Sequence, residues 1–268
     1  MASPTESVLG HLEVARSEPA HRLRRWIGGY LSMLRFDIAS QRNWLPMFLL
    51  TQILFGAGMA IIYGFYVGHA PVTVIRYIVT GAPSLAVITA TLIGVTTIVT
   101  ERQLAGTWDF IWSLPVPRSA AVASTFTVYT AMTIPGIVTA LVLATWRYGI
   151  QLTPSPAVVP AFVLASLMAT SISFGMSVAI KSPLVTNAIV NALIFVVLLF
   201  SPVVYPITQL PTWLADVQRG LPFYPIAQII RASLTSGVVH DLADSYVILT
   251  LWTVAAWAAT AWVIGRRK

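Results

Sequence analysis

Cysteine is absent from the 268-residue chain, which excludes disulfides, thiolate metal sites and cysteine nucleophiles. Charge is scarce as well: 9% of residues are Asp, Glu, Lys or Arg, against about 25% in soluble domains. That scarcity excludes an ordinary cytosolic enzyme. Catalytic motifs are missing too. The four histidines, His11, His21, His69 and His240, show no metal-ligand spacing, and there is no GxSxG. The closest approach to a phosphate-binding GxxxxGK[ST] is Gly175 to Ser182, GMSVAIKS. There Ile180 replaces the required second glycine, and the segment ends an apolar run instead of following a strand. Asp241 and Asp244 form a carboxylate pair, but they precede an apolar run, where capping a helix N-terminus is the simpler job. No catalytic residue and no metal ligand is expected.

Apolar sequence is plentiful: 57% of residues are hydrophobic. Crossing a bilayer takes about 20 apolar residues, and six runs qualify, at roughly 45–67, 76–99, 119–145, 157–180, 184–201 and 245–264. Each is expected to be a helix, because an isolated strand leaves its backbone unsatisfied in lipid. The formal charge of +7 follows the positive-inside pattern around these runs and has no nucleic-acid-binding motif, so no nucleic-acid partner is expected. One set of flanks carries Arg16, Arg22, Arg24, Arg25, Arg35, Arg42, Arg102, Arg118, Lys181, Arg266, Arg267 and Lys268. The other carries Arg76, Arg147, Arg219 and Arg231. The asymmetry places both termini and the segment around 101–118 in the cytoplasm of a multi-pass inner or plasma membrane protein. No cleavable signal peptide is expected, since residues 1–44 are polar and the first apolar run is long.

Residues 1–44 divide into a tail, expected to be mobile to about Ser17, and an arginine-rich stretch from His21 to Asn43. In that stretch Leu23, Trp26, Ile27, Tyr30, Leu31, Leu34 and Ile38 recur at helical spacing, as in a helix lying in the membrane interface. Residues 45–268 read as one membrane domain. Within it, five prolines between Pro202 and Pro225 forbid a continuous helix, yet the stretch is too apolar for a free loop. Short helices dipping back into the outer leaflet, or an external loop resting on the membrane, satisfy both facts.

ERQLAGTWDFIWSLPVPR, Glu101 to Arg118, separates two apolar runs and belongs to neither. Leu104, Trp108, Ile111 and Trp112 share a helical face, and Pro115 and Pro117 stop the helix. An amphipathic cytoplasmic helix over 101–112 is expected, whose charged side either meets a partner or lies bare. Polar residues inside the apolar runs are costly in lipid and belong against protein or a cavity. Asn187 and Asn191 lie one turn apart, and Thr89, Thr91, Thr96, Thr97 and Thr100 mark the second run. Lining a pathway and packing helices both fit. Thr89, Thr96, Thr97, Asn187 and Asn191 are the candidate pathway residues.

The succession TERQLAGTWDFIWSLPVPRSA, an Asn-bearing run, FSPVVYP, LPTWL and LPFYPIAQIIRASLTSG resembles the permease subunits of type-2 ABC exporters, the group that includes antibiotic, lipo-oligosaccharide and polysaccharide export permeases. The resemblance covers nearly the whole chain. It implies an all-α membrane protein with six transmembrane helices, an N-terminal interface helix, a coupling helix at 101–112 and re-entrant helices over 202–237 between spans five and six. It further implies that Glu101, Arg102, Gly106, Thr107, Trp108 and Asp109 dock on a separate ATPase. The family's acidic position after Gly-Thr falls on Asp109, or one residue earlier on Trp108 where many relatives carry Glu. The implied partners are two cytoplasmic ATPase subunits that hold ATP and Mg, a second identical or homologous permease, and membrane lipids. The cargo expected first is an amphipathic drug-like molecule, then a lipid or glycolipid, then a glycan. A scaffold or receptor subunit is the reading from another class.

Overall fold

The computed structural model describes residues 4–43, 45–67, 72–149, 152–180, 182–235, 239 and 242–266, and every element among them is helical. In chain order these are α1 (Pro4–Gln41), α2 (Leu45–Val67), α3 (Val72–Leu104), α4 (Thr107–Ser113), α5 (Arg118–Tyr148), α6 (Val158–Ala179), α7 (Pro183–Phe200), a 3₁₀ turn (Ile207–Gln209), α8 (Thr212–Gly220), α9 (Phe223–Leu234) and α10 (Leu242–Arg266). They form two compact units, Met1–Asn43 with Gly106–Val128, and Trp44–Ala105 with Tyr129–Lys268.

One sequence expectation is corrected here. Helix α1 begins at Pro4, so the tail expected to be mobile up to Ser17 is helical. Proline is tolerated in a first turn, and Glu6, Leu9, Leu12, Glu13, Ala15 and Arg16 all favour helix. Five of the six expected spans are met in full by the described residues. Six crossings were expected, and five helices are long and apolar enough among the described residues: Val74–Leu104, Arg118–Arg147, Val158–Ala179, Pro183–Phe200 and Leu242–Thr260. The first expected span is the 23-residue helix α2, whose described apolar part, Leu45–Gly58, falls short of that length.

In the first unit, α1 packs one face against α4 and the beginning of α5. Met33 is buried with Ile111 and Ala121, and the Phe36 and Phe110 rings meet at 6.5 Å. A row of polar contacts runs alongside. Trp26 Nε1 donates to Ser119 Oγ at 3.0 Å, Tyr30 Oη to Thr127 Oγ1 at 3.0 Å, and Ser124 Oγ to Asp37 Oδ2 at 2.7 Å. The apolar face read from the sequence is therefore two faces. Trp26 and Tyr30 join Met33 and Asp37 on the packed side, while Leu23, Ile27, Leu31 and Ile38 recur on the exposed one.

In the second unit α3 is the centre, packed along α6 and α7 and touching α2 and α9. Of its most apolar window 94% is buried inside the chain, against 11% for α10, so α3 is the internal post and α10 is peripheral. Leu85, Ile88 and Leu92 of α3 meet Met168 of α6, Val190 and Ile194 of α7, and Ile226, Ile229 and Ile230 of α9 in one core. The proline-rich stretch forms the 3₁₀ turn, α8 and α9, each started or stopped by a proline at its boundary. Ser236 and Gly237, the end of the expected 202–237 segment, lie outside the described residues.

Candidate functional site

The segment expected to be one helix over 101–112 is built differently. Glu101, Arg102, Gln103 and Leu104 are strong helix formers, so α3 continues through them instead of stopping at Thr100. The helix closes with Ala105 N–H bonded to the Glu101 carbonyl at 2.9 Å. Gly106 then takes φ 65° and ψ 10°, a left-handed conformation that only glycine adopts without penalty. A separate two-turn helix, α4, follows and ends before Pro115. The corrected arrangement is the end of a long helix, a glycine turn and a short helix.

The two sides of that turn belong to different units. In the second unit Glu101 is exposed, Arg102 is buried, and Leu104 is 75% exposed. Gln103 fixes the end of α3 to the end of α6 by donating to the Ser177 carbonyl at 2.7 Å. In the first unit Thr107 is half-buried, Phe110 is 55% exposed, and Ile111 is buried against α1. Trp108, Asp109 and Trp112 are on α4, and their side chains lie outside the described residues. The end of α3 thus presents an acidic and a large apolar group, Glu101 and Leu104, and α4 separately presents Phe110.

The polar residues of the spans separate into two sets. Thr89 and Thr96 are buried inside the chain. Thr89 Oγ1 donates to its own helix at the Leu85 carbonyl at 2.7 Å, whereas Thr96 Oγ1 has no hydrogen-bond partner. Thr97 is half-buried, and Thr100 bonds the Thr96 carbonyl. On α7, Asn187 is half-buried and Asn191 is exposed, among Leu184, Ile189, Phe195 and Leu199, which are exposed too. The Asn191 amide donates to the Asn187 carbonyl at 2.9 Å. The threonines are therefore interior to one chain, and the asparagine pair marks an outer face.

Arg231 was counted from sequence as an external flanking charge, but it is wholly buried. The available signal was its spacing. Ala227, Ile230 and Leu234 recur around it at helical intervals and are buried as well. No group of three or more His, Cys, Asp or Glu among the described residues could hold a metal ion. Asp241, one of the two carboxylates expected to cap the last helix, lies outside the described residues, while Asp244 is in the first turn of α10.

No curated protein matches the chain. A family model described as ABC-2 family transporter protein matches residues 70–262, more than half of the chain, taking in α3 to α9, most of α10 and every candidate site residue; the chain belongs to that family, as a multi-pass membrane component of a transporter.

Proposed function

We propose that the chain is the permease subunit of an ATP-driven exporter, crossing the membrane six times with both termini in the cytoplasm. It would be paired with a second identical or homologous permease and with two ATPase subunits that carry ATP and Mg. Permeases of this family normally work with an ATPase subunit and form dimers. The observation that carries the reading is the family match together with the exposed end of α3. Glu101 and Leu104 there offer an acidic and an apolar group on a chain with no nucleotide motif of its own.

Closure of the ATPase pair would push on Glu101 to Trp112, and α3, about 50 Å long at 1.5 Å per residue, would carry that displacement through the core. The route would run along α7. An exposed amide in mid-span is costly against lipid, which favours Asn187 and Asn191 facing a second permease or the pathway between two. Thr89, Thr96 and Thr97 would instead serve α3 packing. The cargo class that fits a route of small-polar and apolar groups, with no charged cluster, is an amphipathic drug-like molecule taken from the cytoplasm or inner leaflet. The 202–237 segment would dip into the outer leaflet at the exit.

Copurification tests the reading. The tagged full chain expressed with its neighbouring genes should retain an ATPase in mild detergent, and Glu101→Lys should release it. A chain that purifies alone from such a strain overturns the assignment.

A further inference from the structure

Arg231 of α9 is the largest side chain that is completely buried. Its guanidinium reaches three separate places. Nε donates to Thr80 Oγ1 on α3 at 3.1 Å, one Nη to Gln228 Oε1 at 2.7 Å, and the other Nη to the Val203 carbonyl, in the stretch after α7, at 2.6 Å. Its Cζ lies 4.0 Å from the centroid of the Tyr77 ring. Tyr224, hydrogen-bonded to Gln228, completes the surroundings. No carboxylate among the described residues is paired with it.

The node is closely fitted on the α3 side. A Cβ at position 81 would collide with the Val203 carbonyl oxygen and lie 2.9 Å from Val204 Cα, so Gly81 is what lets the 203 carbonyl reach the guanidinium. Two residues further along α3 stands Pro83, which removes a helical hydrogen bond and softens the helix at that point. The buried charge is thus placed where the short helix α9 meets the proline-bearing stretch of the central one.

Energetics distinguish this node from a permanent cross-link. Burying a cation costs several kcal/mol, and neutral acceptors and a ring return less of that cost than a carboxylate would. Water reaching the guanidinium would return the rest. The Arg231 contacts can therefore be exchanged for water without separating an ion pair, while the apolar packing of α9 favours the closed arrangement.

We propose that Arg231 is the latch of an outer gate: a positioning residue that holds α9 on the Tyr77–Ser84 stretch of α3 and lets go to water when the gate opens. Coupling of this opening to ATP rests on the exporter reading above. Since α3 also ends at Glu101, one helix would then join the ATPase contact to the latch.

The cysteine-free sequence gives a clean background for the test. Ser84, buried and hydrogen-bonded to the Thr80 carbonyl at 3.0 Å, is replaced by Cys in the full chain, which is kept in right-side-out vesicles with its coexpressed partner. A membrane-impermeant maleimide then reads access from outside. Without nucleotide, Thr80→Val and Arg231→Gln should each speed labelling by about fivefold or more, the change expected from one lost hydrogen bond. Arg231→Lys, which keeps the charge but loses the fork, should fall between. Should Arg231→Gln fail to reach the membrane, Thr80→Val decides alone, since it removes one acceptor and keeps the side-chain shape. Unchanged labelling in Thr80→Val, at unchanged thermal stability, overturns the latch. ATP should speed labelling of the parent. Faster labelling in the variants with no response to ATP supports the latch and overturns the exporter reading instead.

Discussion

Asp37 directly precedes Ile38 on α1, yet the two have opposite fates: Asp37 is buried, accepting from Ser124 and from Thr125 at 3.3 Å, and Ile38 is 52% exposed. Hydrogen bonds to a charged group contribute about 1.5–3 kcal/mol. Ser124→Ala should therefore lower the thermal midpoint of the purified chain clearly, while Ser113→Ala, at a hydroxyl that only bonds its own helix at the Phe110 carbonyl, should leave it nearly unchanged. Equal midpoints in a melting assay would argue against the α1 packing described above. At Asn191 the expectation reverses. Its amide is exposed and bonds only within α7, so Asn191→Leu should cost under about 1 kcal/mol and yet change cargo export. Normal transport with lowered stability would make the pair a helix-packing device. None of these burial states could be read from residue type, because a sequence repeating apolar residues on two faces of α1 does not say which face has a neighbour.

At the scale of elements, the helices over 76–99, 119–145, 157–180, 184–201 and 245–264 were legible because hydrocarbon length and proline stops are strong signals. The observed helices overrun those limits by a few residues at most ends. The α3–α4 turn was legible only in part. Its polar composition showed a break between spans, but α3 runs on through four good helix formers, and the break itself depends on a single glycine at φ 65°. Gly106→Ala should cost about 1–2 kcal/mol and strain the backbone where α3 gives way to α4. In the assembled transporter that should lower ATP-dependent export more than it lowers ATPase binding. Equal loss of both, measured by transport and pull-down on the same preparation, would mean the turn is merely part of the docking surface.

For the whole molecule, α3 runs from the stretch that meets the buried Arg231 node to exposed Glu101, the end proposed above to dock on an ATPase, and the asparagines lie on the exposed side of α7. Family membership was legible from the spacing of ER, GT, the SLPVPRS stop and the IIRASLTSG end. The role of Arg231 was not, since burial of a lone arginine depends on α3 and the 203 carbonyl arriving from far along the chain. The orientation proposed above rests on the basic flanks, so reporter fusions after Lys268 and near Gly149 should give opposite signals; matching signals would break the span assignment. The central claim, that a chain without catalytic equipment transmits work from an ATPase through the α3–α4 turn, is tested most directly by ATP hydrolysis and export in proteoliposomes with Glu101→Lys. The variant is chosen because Glu101 is exposed whereas neighbouring Arg102 is buried. The account predicts no hydrolysis by the chain alone, hydrolysis and export with the partner present, and export lost in the variant while the chain still inserts and keeps its thermal midpoint. Export by Glu101→Lys and Asp109→Lys at the rate of the parent would contradict it.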